Sequence, residues 1–153
     1  MAPSFGFEYA TDKTRRIGGK KAMTDDLIRF VTDGRHPPYG HRTGIFPSAY
    51  KARRENWFSS GDHDELCDLL LWFKDNLPIP DRFAASRRHN AKNSGVSWIR
   101  SSAHDHMRRL RRIAELLRSI GMPVHELRTT RPGYILYEDN HQVVALPFGD
   151  TPS

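Results

Sequence analysis

The strongest constraint on the fold is a seam of mostly apolar residues, spaced alternately three and four apart, between Val96 and Ile120. This spacing places every member on one side of an α-helix, so it predicts an amphipathic helix over about 94–120 that buries this side. Gly121 is typical of a left-handed helix end, and Pro123 prevents continuation. The seam consists of Val96, Ile99, Ala103, His106, Leu110, Ile113, Leu117 and Ile120.

Two or three shorter helices are predicted before the long one. The first starts at Thr24 and ends at Gly34, with its apolar face in between. The second is short and covers about 48–56. The third covers about 62–77, with acidic residues in its first turns and Pro78 at its end.

Three β-rich runs complete the chain, at Val124–Thr129, Tyr134–Glu138 and Gln142–Leu146. Turn-forming pairs such as Pro132-Gly133 separate them, which predicts a three-stranded antiparallel meander. So small a sheet is stable only when it packs against a helix. The sequence therefore predicts an α+β fold with several helices, the long one being followed by a C-terminal three-stranded antiparallel meander.

Basic residues are concentrated in one part of the chain, and most of them are arginines. The chain has 24 Lys and Arg against 18 Asp and Glu, and residues 82–131 hold 12 of the basic residues with only three acids. Arginine presents a planar fork that matches phosphate or carboxylate, although a GC-rich genome would enrich Arg without any function. This uneven distribution favours an acidic partner.

On the predicted long helix, the side opposite the seam carries a stripe of basic residues. A row of arginines can follow the phosphates of nucleic acid, which predicts a non-enzymatic nucleic-acid-binding accessory or regulatory protein, with another polyanion as an alternative ligand. The stripe could instead be a solvated face, or could rest on the acidic helix at 62–77. The predicted binding residues are Arg100, His104, Arg108, Arg111, Arg112 and Arg118 of the helix, with Arg87, Arg88 and Lys92 of the loop before it.

A loop rich in proline and glycine, at residues 35–48, is an alternative site. It holds His36, His41 and Arg42 on a stiff backbone. Histidine exchanges protons near neutral pH, and arginine can stabilise a developing negative charge. This set would suit a small metal-independent enzyme that acts on nucleic acid or a nucleotide.

The seam gives a third hypothesis, a protein-interaction or dimerisation module. A helix of about 40 Å overhangs strands of about 20 Å, so the helix at 62–77 or a second copy of the chain must cover the excess. Because 62–77 is apolar around much of its circumference, we favour a monomer over a homodimer. His106, on the seam, is expected to be a buried histidine that is hydrogen-bonded to a neighbour.

No metal or cofactor site is predicted. His104 and His106 point to different sides of one helix, Cys67 is the only cysteine, and no phosphate-binding glycine loop has the required spacing. Without a long apolar run or a visible signal peptide, and with a single cysteine, the sequence predicts a cytoplasmic protein that does not bind membranes. The expected organisation is a flexible basic arm at 1–22, one α+β domain at 23–148 and a tail at 149–153.

Overall fold

The fold combines three α-helices with a six-stranded sheet in the residues that the computed structural model describes, which are 26–35, 42–77 and 95–152. This architecture confirms the predicted α+β class. In chain order, the elements are β1 (Leu27–Arg35), β2 (Arg42–Gly44), α1 (Ile45–Arg54), α2 (Ser60–Asn76), β3 (Val96–Arg100), α3 (His104–Ser119), β4 (His125–Thr129), β5 (Tyr134–Glu138) and β6 (Gln142–Leu146).

Strand β1 organises the sheet, in which all the described pairings are antiparallel. Strand β4 pairs with β1 over residues 27–31. Strand β3 pairs with β1 at Leu27 and Ile28, whereas β2 pairs with it at Val31 and Arg35. Because a strand has only two edges, β3 and β2 lie one after the other along the edge opposite β4. The sheet then continues from β3 through β6 to β5.

The three helices cover one face of the sheet and form the main hydrophobic core with it. Alternation along β1 and β3 directs Ile28, Phe30 and Ile99 toward the helices. Helix α2 contributes Leu66 and Leu70 to the same core. The seam of α3 is therefore covered within one chain, and its central members are each at most 4 % exposed: His106, Leu110, Ile113 and Leu117.

The opposite face of the sheet is also buried, around Trp98 of β3. Trp98 is fully buried and clusters with Val96, Leu27, Val143 and Ala145. Strands β1, β3 and β6 therefore bury side chains on both faces, and all five residues of β6 are buried.

The helix predicted over about 94–120 is wrong in its first part, because the segment before α3 is strand β3. Val96 and Trp98 face one side of the sheet and Ile99 faces the other. The apolar residues of a strand that is buried on both faces met the helical spacing by coincidence. Over α3 itself the prediction is correct, and Gly121 has a positive φ of 87° just beyond its end.

The helix predicted from Thr24 is also wrong, because residues 27–35 form β1. Residues 27–31 are all buried, so this strand shows no alternation that would distinguish it from a helix. The helices predicted at 48–56 and 62–77 are present as α1 and α2, and both start slightly earlier than expected.

The three C-terminal strands lie where they were predicted, but they do not form a meander. Strands β5 and β6 form a hairpin, in which the Asp139 carboxylate accepts backbone hydrogen bonds from His141 and Gln142, both 2.8 Å long. Strand β4 pairs with β1 instead of β5, and β6 pairs with β3. Gly133, the residue before β5, has a φ of 125°, and a Cβ atom there would collide with the carbonyl group of Leu146.

The N-terminal arm predicted at 1–22 lies outside the described residues. Among the helices that are described, none is long and apolar enough to cross a bilayer.

Candidate functional site

Helix α3 presents most of the predicted basic stripe on the side that faces away from the core. Packing of the seam against α2 and the sheet fixes the rotation of α3 about its axis. Consequently His104, Arg108, Arg111 and Arg118 are exposed, and Arg112 is half-buried toward α2. The helix thus orders a set of cations along one surface.

Four arginines from two elements line one cavity of about 580 Å³, which we call the arginine groove. Its apolar lining includes Ile28 of β1 and Met107 of α3. The unexpected member is Arg128 of β4, which enters the groove because β4 pairs with β1 and sets Arg128 opposite Ile28. The polar lining residues are Ser101, His104, Arg108, Arg111, Arg112, Glu115 and Arg128.

Each groove arginine has an acidic partner. The side chains of Arg108, Arg111 and Arg128 are about half exposed or more, so their ion pairs contribute only about 0–1 kcal/mol each. The nitrogen–oxygen distances are 3.1 Å for Arg108–Asp105, 3.7 Å for Arg111–Glu126, 3.0 Å for Arg128–Glu126 and 3.3 Å for Arg128–Asp26.

Arg112 links α3 to the acidic helix α2. Its Nε and Nη2 donate to the two carboxylate oxygens of Glu65, at 2.5 and 2.8 Å, and its Nη1 donates to Glu115 at 3.0 Å. The hydrogen bonds from Arg112 lower the pKa of Glu65, and both acids raise the pKa of Arg112. Part of the stripe therefore rests on α2, which is the arrangement that the intramolecular alternative predicted.

Two predicted binding residues lie away from the groove. Arg100 belongs to β3 instead of the helix, and it donates to the Glu138 carboxylate at 3.0 Å and to the Asp139 carbonyl at 2.9 Å. Arg118 lies at the far end of α3 and donates to the carbonyl of Val124 at 2.7 Å. Neither side chain lines the arginine groove.

His106 is buried and hydrogen-bonded, as the seam position predicted. Its Nε2–H donates to the carbonyl of Asn76 at 2.8 Å, which fastens the end of α2 to α3. The ring stacks on His141 at 4.4 Å and meets the edge of Trp72 at 4.8 Å. Burial lowers the pKa of His106 below its usual value, so the ring is neutral at pH 7.

Of the three residues of the alternative site in the loop at 35–48, only Arg42 lies in the described ranges. Arg42 starts β2, and its carbonyl accepts a hydrogen bond of 2.8 Å from Arg29. In the ranges that the structure describes, no group of three His, Cys, Asp or Glu is placed to hold a metal ion. The predicted residues outside those ranges are His36, His41, Arg87, Arg88 and Lys92.

No family model, curated protein or solved structure matches this chain. Its function is therefore inferred from the chemistry of its own surfaces.

Proposed function

We propose that the protein binds nucleic acid or another polyanion in the arginine groove, as a non-enzymatic accessory or regulatory protein. The observation that carries this proposal is the convergence of Arg108, Arg111, Arg112 and Arg128 on one open groove beside the exposed His104. Each guanidinium has five N–H donors in a planar fork, so an arginine that is paired with one carboxylate keeps donors for a phosphate.

The acidic partners reduce the positive charge of the arginine groove but leave its arginines able to bind an anion. Exposed ion pairs contribute only about 0–1 kcal/mol, so a phosphate that replaces a carboxylate forfeits little stability. The described residues hold 15 basic and 14 acidic side chains, whereas residues 1–25 and 78–94 hold nine basic and four acidic ones. Most of the net charge of +6 thus lies outside the described part, and binding has to be measured on the whole chain.

The test is fluorescence anisotropy of labelled single-stranded and duplex oligonucleotides, of DNA and of RNA, across a range of salt concentrations. Arg108→Gln and Arg111→Gln are combined, because both residues are exposed and lie off the seam. Loss of two phosphate contacts should weaken binding and reduce the slope of log affinity against log salt by about 1.8 for a duplex.

The matched control is the combined Lys51→Gln and Arg54→Gln variant, which removes the same charge from exposed positions of α1, away from the groove. It should change the affinity and the salt slope much less than the groove variant does. Equal losses in the two variants would show that only net charge matters. An unchanged affinity in a folded groove variant would refute the proposed surface.

A further inference from the structure

Arg29, in the centre of the sheet, is a buried cation for which the described residues supply no counterion. It lies on β1 and is only 8 % exposed. Its Nη2 donates to the carbonyl of Arg42 at 2.8 Å, whereas its Nη1 is buried and has no hydrogen-bond partner in the described structure. Burial lowers the pKa of Arg29 to about 10, so the guanidinium remains charged at neutral pH. A buried charge in this state is costly, and an anion would relieve the cost.

A cavity of about 260 Å³ lies beside Arg29, where β2 and β3 follow one another along the edge of β1. Arg29, Arg42 and Ser97 supply charged and hydroxyl groups to its lining, and Ser97 is exposed. The remaining lining is largely apolar and comes from the main core, including Ile99 and Leu110. The cavity therefore combines one buried positive charge with a hydrocarbon surface.

Helix α1 begins in the wall of this cavity. Its N-cap residue Gly44 has no side chain to cap the helix, and its first turn contains no acidic residue. The N–H groups of Ile45 and Phe46 therefore lack an intrahelical acceptor, and Pro47 has no N–H group. All four residues line the cavity. A helix start and a buried arginine whose Nη1 has no partner among the described residues thus meet in one place, and both favour an anion.

We propose that this cavity is a binding site for a small organic monocarboxylate. The carboxylate would accept hydrogen bonds from the Arg29 guanidinium and from the first N–H groups of α1, and the hydrocarbon part would lie against Ile99 and Leu110. A monoanion suits the site because Arg29 is the single buried charge among the described residues that line it, Arg42 being half-exposed. The apolar lining disfavours a dianion such as phosphate, which would need more donors. This site is separate from the arginine groove and does not depend on the function proposed there.

The first test is isothermal titration calorimetry of the whole chain with sodium butyrate and sodium benzoate at constant ionic strength. Butyramide and benzamide are the neutral counterparts, and inorganic phosphate is the competing anion. At least one of the two carboxylates should bind saturably, and its amide should not. Arg29→Met removes the charge at similar length and should weaken that binding about tenfold or more, the loss expected for one charge-assisted hydrogen bond.

A second variant tests the site through thermal stability, with no ligand added and with Arg29 unchanged. Gly44 has a φ of −69°, which any residue can adopt, and a Cβ atom there would lie 3.7 Å from Arg29 Nη2. Gly44→Asp therefore supplies an internal carboxylate within reach of Arg29, and Gly44→Asn is its neutral control, since both residues cap helices well. Gly44→Asp should have the higher Tm of the two and should no longer bind the carboxylate.

These results together decide the proposal. It is supported by carboxylate binding that needs Arg29 and is lost in Gly44→Asp, together with a Tm of Gly44→Asp above that of Gly44→Asn. It is overturned if neither carboxylate binds the wild-type chain, if Arg29→Met binds as tightly as wild type, or if phosphate binds where the carboxylates do not. If Arg29→Met does not fold, the Gly44 pair decides, and equal Tm values in that pair overturn the proposal.

Discussion

Replacing Glu65 with glutamine separates the structural role of Arg112 from its proposed role in binding. Two hydrogen bonds of 2.5 and 2.8 Å join Arg112 to Glu65, but their side chains are 43 % and 38 % exposed. Solvent screening limits such a pair to about 1 kcal/mol, even with bidentate geometry. Arg112 also keeps its contact with Glu115 at 3.0 Å. With a denaturant slope of about 2 kcal/mol/M, Glu65→Gln should lower the urea midpoint by about 0.5 M or less.

The same change should increase the affinity for a polyanion, because it releases Arg112 toward the groove. One additional phosphate contact would steepen the salt slope by about 0.9 for duplex DNA. The control is Asp68→Asn, which removes one charge from an exposed position of the same helix and leaves Arg112 paired. Urea unfolding and anisotropy are measured on both variants. If Glu65→Gln binds no more tightly than Asp68→Asn, Arg112 does not contribute to polyanion binding when it is released from Glu65.

Three further predictions concern the fold. Since the pKa of His106 is lowered on folding, the unfolded chain binds more protons below about pH 6.5, and stability should fall as the pH drops through the folded pKa. His106→Leu should reduce this loss of stability between pH 7 and 5, and a pH profile identical to that of the wild type would contradict the prediction. Ile113→Asp should abolish cooperative unfolding in circular dichroism, because Ile113 is fully buried; a folded variant would contradict the core position. Gly133→Ala should lower the free energy of unfolding by well over about 1 kcal/mol, because its Cβ would collide with the Leu146 carbonyl. Gly121 also has a positive φ but has open space where its Cβ would lie, so Gly121→Ala should lower it by only about 1 kcal/mol. Equal urea midpoints for the two variants would show that the structure relieves the collision at Gly133.

Elements that bury one side could be predicted from the sequence. Helices α2 and α3 combine apolar periodicity with terminal signals, such as Pro78 after α2 and Gly121 after α3. Their positions follow from local physics, because one helix face must be apolar and the helix end must be satisfied. Strands β4 and β5 were located by β-rich runs between turn residues, and so was β6, although all five of its residues are buried.

Two strands that bury both sides, β1 and β3, were not recognised. Residues 27–31 of β1 are all buried, and in β3 both Trp98 and Ile99 are buried although they face opposite sides. Such strands have no alternation, and their apolar residues can meet a helical spacing equally well. The pairing of β4 with β1 was also hidden, since hydrophobic pattern identifies a strand but not its partner. Because β1 and β3 were not predicted, the three C-terminal strands were expected to pair only with one another, and Arg100 was expected to lie on the long helix.

Most ion-pair partners of the arginines could not be predicted from the sequence. The sequence shows where the charges lie, but only the pairs within one helix, Arg108–Asp105 and Arg112–Glu115, could be read from spacing, whereas Glu65 and Glu126 reach α3 through the fold. Arg29 was overlooked because its burial follows only once β1 is known to be central in the sheet.

The two proposed anion sites therefore differ in kind. The arginine groove uses several exposed cations and should lose affinity steeply as salt rises, since each phosphate contact adds to the slope. The cavity beside Arg29 uses one buried cation, which salt screens far less, together with apolar surface. Ionic strength alone should therefore distinguish a polyanion in the groove from a small carboxylate in the cavity.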